Sequence, residues 1–590
     1  MYGKLLRYAD DAAAWKTGED VQAVKKCVEE GISKVMLNWC PQWNMKVEPS
    51  KTKAMIFPPP HADKTHTEDL KVDSKNIQLV DDFKLVGVTL DQQLTFSNHI
   101  TTTRTKAFKA LKAVSKVTQA KKNPNQQAHI LLYTTLVRPI LDYASECTIT
   151  AKDKLEKAYS PIQRQALIAA TGCLERTSTE ALETLAGIPP IDIHLSCRQA
   201  QAYLRMTSKH TGNPIYDTIS HMKSQKTTTQ TGSPLHLLQT RLNELKGEMD
   251  ETTVDKEPYF DARLPPFTMG SITGTFAATT NTTEGKDKAR EDILDTLQHI
   301  SNSKEPTTVI FTDGSALGNP GPTGCAAVIY ERWGVTEPFA VRKPVAAKSN
   351  NYEGELEGLH LAIDTISRRQ STTTNLKVLI LCDCKAAIDS VLGITWCPGH
   401  MGIPGNEIAD KEAKLAADEA TNIQYTSWTK HQAMKHIEAQ AHERWNRRMK
   451  LNMRSEHMQK IATNMKKKGR THGRRNTQVN INQLVSGHTR LNAYQNWKDP
   501  EVSPNCPNCG ALETTRHYLY HCPRYEKERQ HMLLEAESLY ETYNIAEGSR
   551  DTDIVTLAGM REDLSETINK QMYLALSRYI ESTHRLDVLS

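Results

Sequence analysis

The stretch IFTDGSALGNPGPTGCAAVIY, Ile310 to Tyr330, sets an acid at the end of one apolar run, then a Gly/Pro turn, then a second apolar run. Two such runs joined by turn residues read as neighbouring β-strands. The acid, Asp313, stands where burial is costly unless a cation or a proton compensates the charge. Working outward, the alternation from Thr307 to about Ala420 predicts strand, strand, strand, helix, strand, helix, strand, helix. Val309–Phe311, Gly324–Tyr330 and Pro338–Arg342 are expected as antiparallel neighbours. Tyr352, Leu356, Leu359, Ile363 and Ile366 form an apolar helix stripe with Glu355 at its rim. Val378–Leu381 has the continuous apolar character of a strand covered on both faces, and it delivers Asp383 to its C-terminal end. Thr395–Cys397 is the next strand. It leads into PGHMGIPGNEIAD, where Asn406 is placed to cap the helix carrying Asp410.

A single Asp at a strand end is most often a turn or cap residue. Four acids in this order on these elements point elsewhere. Mg²⁺ takes octahedral oxygen ligands, commonly a few carboxylates plus substrate phosphate. Two such ions roughly 3.5–4 Å apart can serve both the attacking and the leaving oxygen of a phosphodiester. Asp313 is expected to bridge, with Glu355, Asp383 and Asp410 as outer ligands. His400, on a Gly-flanked loop, is expected to assist proton transfer or product release.

The 590 residues suffice for several domains, and the net charge of +5 is small for that length. Charge is instead local: Met465–Arg475 reads MKKKGRTHGRR, which suits either a solvated loop or a phosphate contact. No apolar run is long enough to span a bilayer, no secretory pattern opens the sequence, and no membrane partner is expected. Twelve cysteines lie scattered with one close cluster, which argues against a disulfide framework and for a reducing compartment. An intracellular location, in the nucleus or a cytoplasmic ribonucleoprotein, follows.

That cluster is Cys506, Cys509, His517 and Cys522, with two, seven and four residues between successive members. Thiolate and imidazole are good zinc ligands, and four close a tetrahedral structural Zn²⁺ site. His521 is an alternative to His517. Tyr518 and Tyr520 suit either base stacking or a small core. Elsewhere, Asp20–Trp39 predicts an amphipathic helix, Lys53–Phe57 and Phe83–Leu90 predict strands, and His99–Ile188 is mostly helical. Residues 207–306, rich in Thr, Ser, Gly and Pro, read as a largely disordered linker with one helix near Leu235–Leu245.

TDGSALGNPGPTGCAAVIY, NNYEGELEGLHLAI, LCDCKAAIDSV and WCPGHMGIPGNEIADKEAKLA resemble the four blocks of the ribonuclease H family, in the form carried by non-LTR retrotransposons. The resemblance implies a mixed five-stranded sheet with flanking helices, two Mg²⁺ (or Mn²⁺) ions held by Asp313, Glu355, Asp383 and Asp410, His400 as the loop histidine, and cleavage of the RNA strand of an RNA–DNA hybrid. One departure is plain. Only CKAAIDSVLGIT separates Asp383 from Trp396, where the family has a longer insertion with extra helices. A parallel crossover needs about a dozen residues, so this connection sits at the lower limit.

YADD (Tyr8–Asp11), VEPSKTKAMIF, FKLVGVTLDQQLTFSNHI and LLYTTLVRPILDYA resemble, in order, the later palm and thumb of a non-LTR reverse transcriptase. Asp10 and Asp11 match the polymerase motif, and the resemblance implies that the third acid of that site, in the earlier palm, would lie before residue 1. Lys51 suits a phosphate contact or a solvated turn. CPNCGALETTRHYLYHCPRY resembles the C-terminal knuckle of the same polyproteins, which implies RNA or DNA contact through it and the basic segment. The expected organisation is multidomain α+β and α/β: residues 1–95 partial palm, 96–206 helical thumb, 207–306 linker, 307–420 ribonuclease H-like, 421–502 basic helical, 503–526 CCHC knuckle, and 527–590 helical tail. The alternative to a nuclease is a decayed remnant that binds nucleic acid without cutting it.

Overall fold

The computed structural model describes all residues except 1–3, 9–10, 43–47, 49, 59–69, 73–74, 121–123, 210–213, 225–232, 250–253, 255–282, 304, 319–320, 370–376, 389–394, 422–427, 429, 453–460, 462–472, 562 and 587–590. The chain forms two compact units. One comprises residues 208–216 and 250–434, the other residues 1–207, 217–249 and 435–590.

The first unit is built on α1 (Thr283–Ser301), β1 (Thr307–Ala316), β2 (Gly321–Tyr330), β3 (Phe339–Ser349), α2 (Asn351–Arg369), β4 (Lys377–Cys382), α3 (Lys385–Ile388), β5 (Thr395–Trp396) and α4 (Pro404–Ala420). The sheet order is β5-β4-β1-β2-β3. β1, β2 and β3 pair antiparallel, while β4 runs parallel to both β1 and β5. This is the mixed five-stranded sheet with flanking helices that the sequence predicts. The short connection closes it, because Leu381 pairs with Thr395 and Cys382 with Trp396.

Side chains alternate across β1. Val309 and Phe311 pack with Leu381, Cys397, Ile403 and Ala409, whereas Ile310 packs with Ala327, Ile329 and Ala362 of the other layer. Small residues let the helices approach. A Cβ on Gly314 would lie 2.2 Å from the Glu355 nitrogen, and one on Gly324 would lie 2.3 Å from the Ala416 carbonyl carbon. The buried face of α4 is accordingly alanine, at 409, 413, 416, 417 and 420.

α1 corrects the linker reading of 207–306. Its Ile293 and Leu297 enter the core beside Val309 and Phe311, and Ala289 packs with Ile388 and Trp396. These anchors recur every four residues, so one helix face is apolar despite the Thr-rich surroundings. Helices Pro214–Ser224 and Pro234–Leu245 also fall within 207–306; the second is the helix expected there.

The second unit opens with a hairpin, Lys4–Tyr8 against Asp11–Trp15, in which Tyr8 pairs with Asp11; Asp10 lies outside the described residues. Helix Val21–Gln42 follows. The expected strand at Lys53–Phe57 is reduced to a single bridge, Ala54 with Leu79, and Lys51 is exposed in a turn. Phe83–Leu90 is not one strand but a hairpin, Asp82–Leu85 against Val88–Asp91, turning at Val86 and Gly87, both at positive φ. Helices Ser97–Ala120, Lys152–Thr171 and Ile191–Thr207 form the expected helical region.

The C-terminal helices complete this region instead of standing apart from it. Helix Arg475–Ser486 sits at the C-terminal end of Lys152–Thr171, where carbonyls lack helical partners. Arg475 donates to the Ala169 and Ala170 carbonyls at 2.7 and 2.5 Å, Asn482 to the Thr171 carbonyl at 2.8 Å, and Gln483 to the Gly172 carbonyl at 2.9 Å. Asn482 also donates to Gln126 Oε1 at 2.7 Å, and the Gln126 N–H donates to Gln478 Oε1 at 3.1 Å. All three amides are buried. The segment read as thumb, residues 435–502 of the basic segment and the tail therefore belong to one unit, and buried amide pairs within it join residues that no local pattern connects.

Candidate active site and metal cluster

The register of the parallel pair β1–β4 sets the site. Cys382 lies opposite Thr312, so the next residues, Asp313 and Asp383, leave the two strands side by side. Glu355 reaches the same end from the first turns of α2, which the glycine contact at 314 brings against β1. Asp410 comes from the second turn of α4. Asp313 and Glu355 are buried, at 5% and 3% exposure.

Electrostatics show which groups face one another. Burial pushes the Asp313 carboxyl up to about 8, helped by the Asp383 and Asp410 charges. Burial pushes Glu355 up to about 9, helped by Asp313 and Asp383. Asp383 is also raised by burial, but a hydrogen bond from Asn406 and the nearby His400 oppose the shift. The structure thus sets Asp313 and Asp383 against each other and against both Glu355 and Asp410 at one sheet end. Ligand atoms of Glu355, Cys382 and Asp383 lie within 4.8 Å of one another, as do those of His400, Glu407 and Asp410.

This donor set fits hard divalent cations. The oxygens are carboxylate, they repel, and the cationic side chains near them are few: Lys414 pairs with Asp410 at 2.7 Å, and His400 lies near Asp383. His400 is exposed at φ 58°, a left-handed conformation unusual for a non-glycine residue and a mark of a constrained loop.

Several residues around the site escape sequence reading. Asn406 does not cap α4. Ile403 is the N-cap and Pro404 opens the helix, so Asn406 lies inside the first turn, 2% exposed, bonded to Asp383. Pro404 is the signal, since Pro favours the first helical position. Cys382 Sγ lies 3.8 Å from Glu355 Oε2. Arg290 Nε of α1 donates to the Met401 carbonyl at 2.7 Å, fastening the loop that bears His400. Nothing in the local sequence around Arg290 marks that contact.

A family model described as RNase H matches residues 305–394. Over 139 residues the chain is 30% identical to Ribonuclease H of Escherichia coli O139:H28 (strain E24377A / ETEC), covering 19% of this chain and 90% of that one. The chain belongs to the ribonuclease H family. Nineteen per cent of 590 residues is fewer than the 139 aligned, so the ribonuclease H domain is shorter here than in that relative. The chain is also 27% identical over 213 residues to the retrovirus-related Pol polyprotein from type-1 retrotransposable element R1 4 of Nasonia vitripennis, covering 34% of this chain and 54% of that one. It spans about half the length of that polyprotein. A solved structure, LC11-RNase H1 in complex with RNA/DNA hybrid, is 21% identical, covering 19% of this chain and 99% of that one with a TM-score of 0.17.

The structure also gathers Cys506, Cys509, His517 and Cys522, with ligand atoms all within 4.8 Å of one another. Cys506 Sγ lies 3.8 Å from Cys522 Sγ, and Cys509 Sγ lies 3.3 Å from His517 Nε2. A tetrahedron with metal–sulfur bonds of about 2.3 Å has sulfur–sulfur edges of about 3.8 Å, so the donors fit Zn²⁺. His517 belongs to the set; His521 is exposed outside it.

Tyr518 serves the core, and Tyr520 is half-buried beside it. Tyr518 is 1% exposed, and its ring packs on Tyr525 and Tyr579 at centroid distances of 5.6 and 5.2 Å. Its hydroxyl meets Thr583 Oγ1 at 2.6 Å, and the Tyr520 hydroxyl donates to the Thr552 carbonyl at 2.9 Å. The knuckle is thus welded to helix Glu566–Thr583. Charges of the basic segment are also partly consumed: Arg444 pairs with Glu244, Arg448 with Asp192, and Arg475 with helix carbonyls. Residues 465–472 of the MKKKGRTHGRR block lie outside the described residues, whereas Gly473, Arg474 and Arg475 are described.

Proposed function

We propose that the ribonuclease H domain hydrolyses the RNA strand of RNA–DNA hybrids. The observation that supports this best is the convergence of Asp313, Glu355, Asp383 and Asp410 from four elements, each raised or raising another by repulsion. Asp313, Glu355, Asp383 and Asp410 would hold two Mg²⁺ or Mn²⁺ ions, which when bound polarise the phosphodiester and lower the proton affinity of water. Asp313 and Asp383, each facing the other three acids, would be the main holders of these ions. Asn406 fixes the Asp383 carboxylate so that its oxygens keep one orientation. His400, at the rim and exposed, moves protons to or from the leaving oxygen. The knuckle holds structural Zn²⁺ and, with the basic segment, adds RNA or DNA contact that weakens with salt. Asp10 and Asp11 match the polymerase motif by sequence, and an intracellular location suits all of these roles. The test is cleavage of a hybrid labelled on the RNA strand in Mg²⁺, repeated with Asp313→Asn. Loss of cleavage supports the site, and unchanged cleavage rejects it.

One observation favours a second reading, binding without cutting: the twelve residues between Asp383 and Trp396 leave no room for the family's extra helices. Hybrid binding by the wild type with no cleavage in Mg²⁺ or Mn²⁺ would establish it.

A further inference from the structure

One buried group at the acid site goes unused by the nuclease reading. Cys382 is the last residue of β4, directly before Asp383, and is fully buried. Its sulfur lies 3.8 Å from Glu355 Oε2. One donor atom from each of Glu355, Cys382 and Asp383 falls within 4.8 Å of the other two. Glu355 is buried, whereas Asp383 is half-buried and gives the group its side toward solvent.

This spacing suits a tetrahedral cation that takes both sulfur and oxygen. With a metal–sulfur bond of about 2.3 Å and a metal–oxygen bond of about 2.1 Å, the sulfur–oxygen edge of the tetrahedron is about 3.6 Å. The observed separation needs only a small shift to match it. A second observation points to the same ligand. Thr312 pairs with Cys382 across β1 and β4, so the two side chains share one face of the sheet. The Thr312 hydroxyl oxygen is buried without a hydrogen-bond partner, and it stands beside the Cys382 sulfur. A buried hydroxyl left unpaired is destabilising, and a thiol is only a weak acceptor for it. A thiolate held by a metal would satisfy that hydroxyl, as the outer partners of zinc ligands do.

We propose that Cys382, Glu355 and Asp383 form a site for a thiophilic divalent cation, Zn²⁺ or Cd²⁺, whose occupation displaces Mg²⁺ and halts cleavage. Thiolate selects such ions over Mg²⁺, which keeps to oxygen ligands. Binding exchanges the Cys382 S–H bond for a sulfur–metal bond and releases the proton to solvent; no oxidation state changes. Two of the four acids are then drawn to a tetrahedral ion and lost to the octahedral pair. Binding at this site stands on its own geometry, and the halt in cleavage rests on the nuclease reading.

The test uses the full chain with its cysteine knuckle already loaded with one equivalent of Zn²⁺. Cd²⁺ is added, and the thiolate–cadmium charge-transfer absorption of Cys382→Ser is subtracted from that of the wild type, so that the knuckle cancels. A difference band that saturates at one equivalent is expected. Calorimetry with Zn²⁺ should show this further site weakened at least about tenfold in Cys382→Ser. Thr312→Val, which keeps the shape but removes the outer donor, should also weaken it about tenfold. Excess Mg²⁺ should raise the Zn²⁺ needed to fill the site, because two carboxylates are shared. In hybrid cleavage, with each form read against its own rate in Mg²⁺, Cys382→Ser should need at least about tenfold more Zn²⁺ for inhibition. Absence of the difference band, or equal Zn²⁺ affinity in wild type and Cys382→Ser, overturns the site. Zn²⁺ binding indifferent to Mg²⁺, or undiminished cleavage with the site filled, overturns the displacement. If the wild type cuts nothing in Mg²⁺, the nuclease reading fails, and the binding measurements still decide the site.

Discussion

Arg290 in α1 holds the Met401 carbonyl at 2.7 Å, one residue beyond His400. Arg290 touches no acid of the site, so it acts as a positioning residue for the loop. Arg290→Ala is expected to lower kcat for hybrid cleavage roughly tenfold, within the loss of about 10²-fold that a 1 Å misplacement can bring. KM should change little, and Arg290→Lys should restore part of the rate. A variant that matches the wild type in kcat would show that the loop holds its own shape.

Removing the central charge should stabilise the metal-free protein while abolishing cleavage. Asp313 is repelled by Asp383 and Asp410 in a buried setting. With its carboxyl pushed up to about 8, Asp313 must take up a proton to stay buried at neutral pH, a cost that Asp313→Asn avoids. Thermal unfolding without divalent cations should show a gain of roughly 1–3 kcal/mol, one pKa unit being worth about 1.4 kcal/mol. A loss of stability would mean that Asp313 is compensated by partners other than metal.

The same shifts fix a pH dependence. Asp313 and Glu355 hold protons more tightly folded than unfolded, with values moved from 3.8 to about 8 and from 4.5 to about 9. Between those limits the unfolded chain binds fewer protons, so the contribution of these two groups to metal-free stability is fully present at low pH and is lost as pH rises through their folded values. Mg²⁺ competes with the same protons. Its stabilisation should therefore grow with pH, and more Mg²⁺ should be needed for cleavage at pH 6 than at pH 8. Melting curves at several pH values with and without Mg²⁺ test both statements; a Mg²⁺ effect independent of pH contradicts them.

Chelating zinc should loosen the C-terminal helices but leave the ribonuclease H unit folded. The knuckle supplies Tyr518 to the Tyr525–Tyr579 cluster, so its collapse unseats helix Glu566–Thr583. Hydrogen exchange after chelation should rise across 503–586 and stay unchanged in β1, β2 and α4. Simultaneous loss of protection in both places would contradict the two-unit organisation.

Asn482→Ala should cost about 1–3 kcal/mol, because it leaves the buried Thr171 carbonyl and Gln126 oxygen without their donor. Unfolding of the second unit by urea measures this. A change near zero would mean that water replaces the amide.

The sheet and the order of its acids are legible in the sequence because apolar strands, a Gly/Pro turn and a long helix stripe are strong local patterns. That Asp313, Asp383 and Asp410 repel one another is a matter of register and helix approach, which the letters do not carry. α1 is hidden by its setting: Ala289, Ile293 and Leu297 are spaced for one face, but the Thr-rich stretch around them reads as linker. The Asp82–Asp91 hairpin is hidden because Val86 turns at positive φ, a conformation β-branched residues avoid. Gln126, Gln478 and Asn482 resemble surface amides in composition, and only their distant partners reveal them as core. Asn406 is misread as a cap because the stronger signal, Pro404, lies two residues earlier.

The amide seam between Gln126 and helix Arg475–Ser486 has a consequence for biosynthesis. A ribosome must travel through the whole nuclease before helix Arg475–Ser486 arrives to cover the Ala169–Gly172 carbonyls. A premature stop after residue 434 would release a finished ribonuclease H fold joined to an N-terminal body with an open, polar wound. Frameshifts late in the gene would thus damage a part of the protein made well before them.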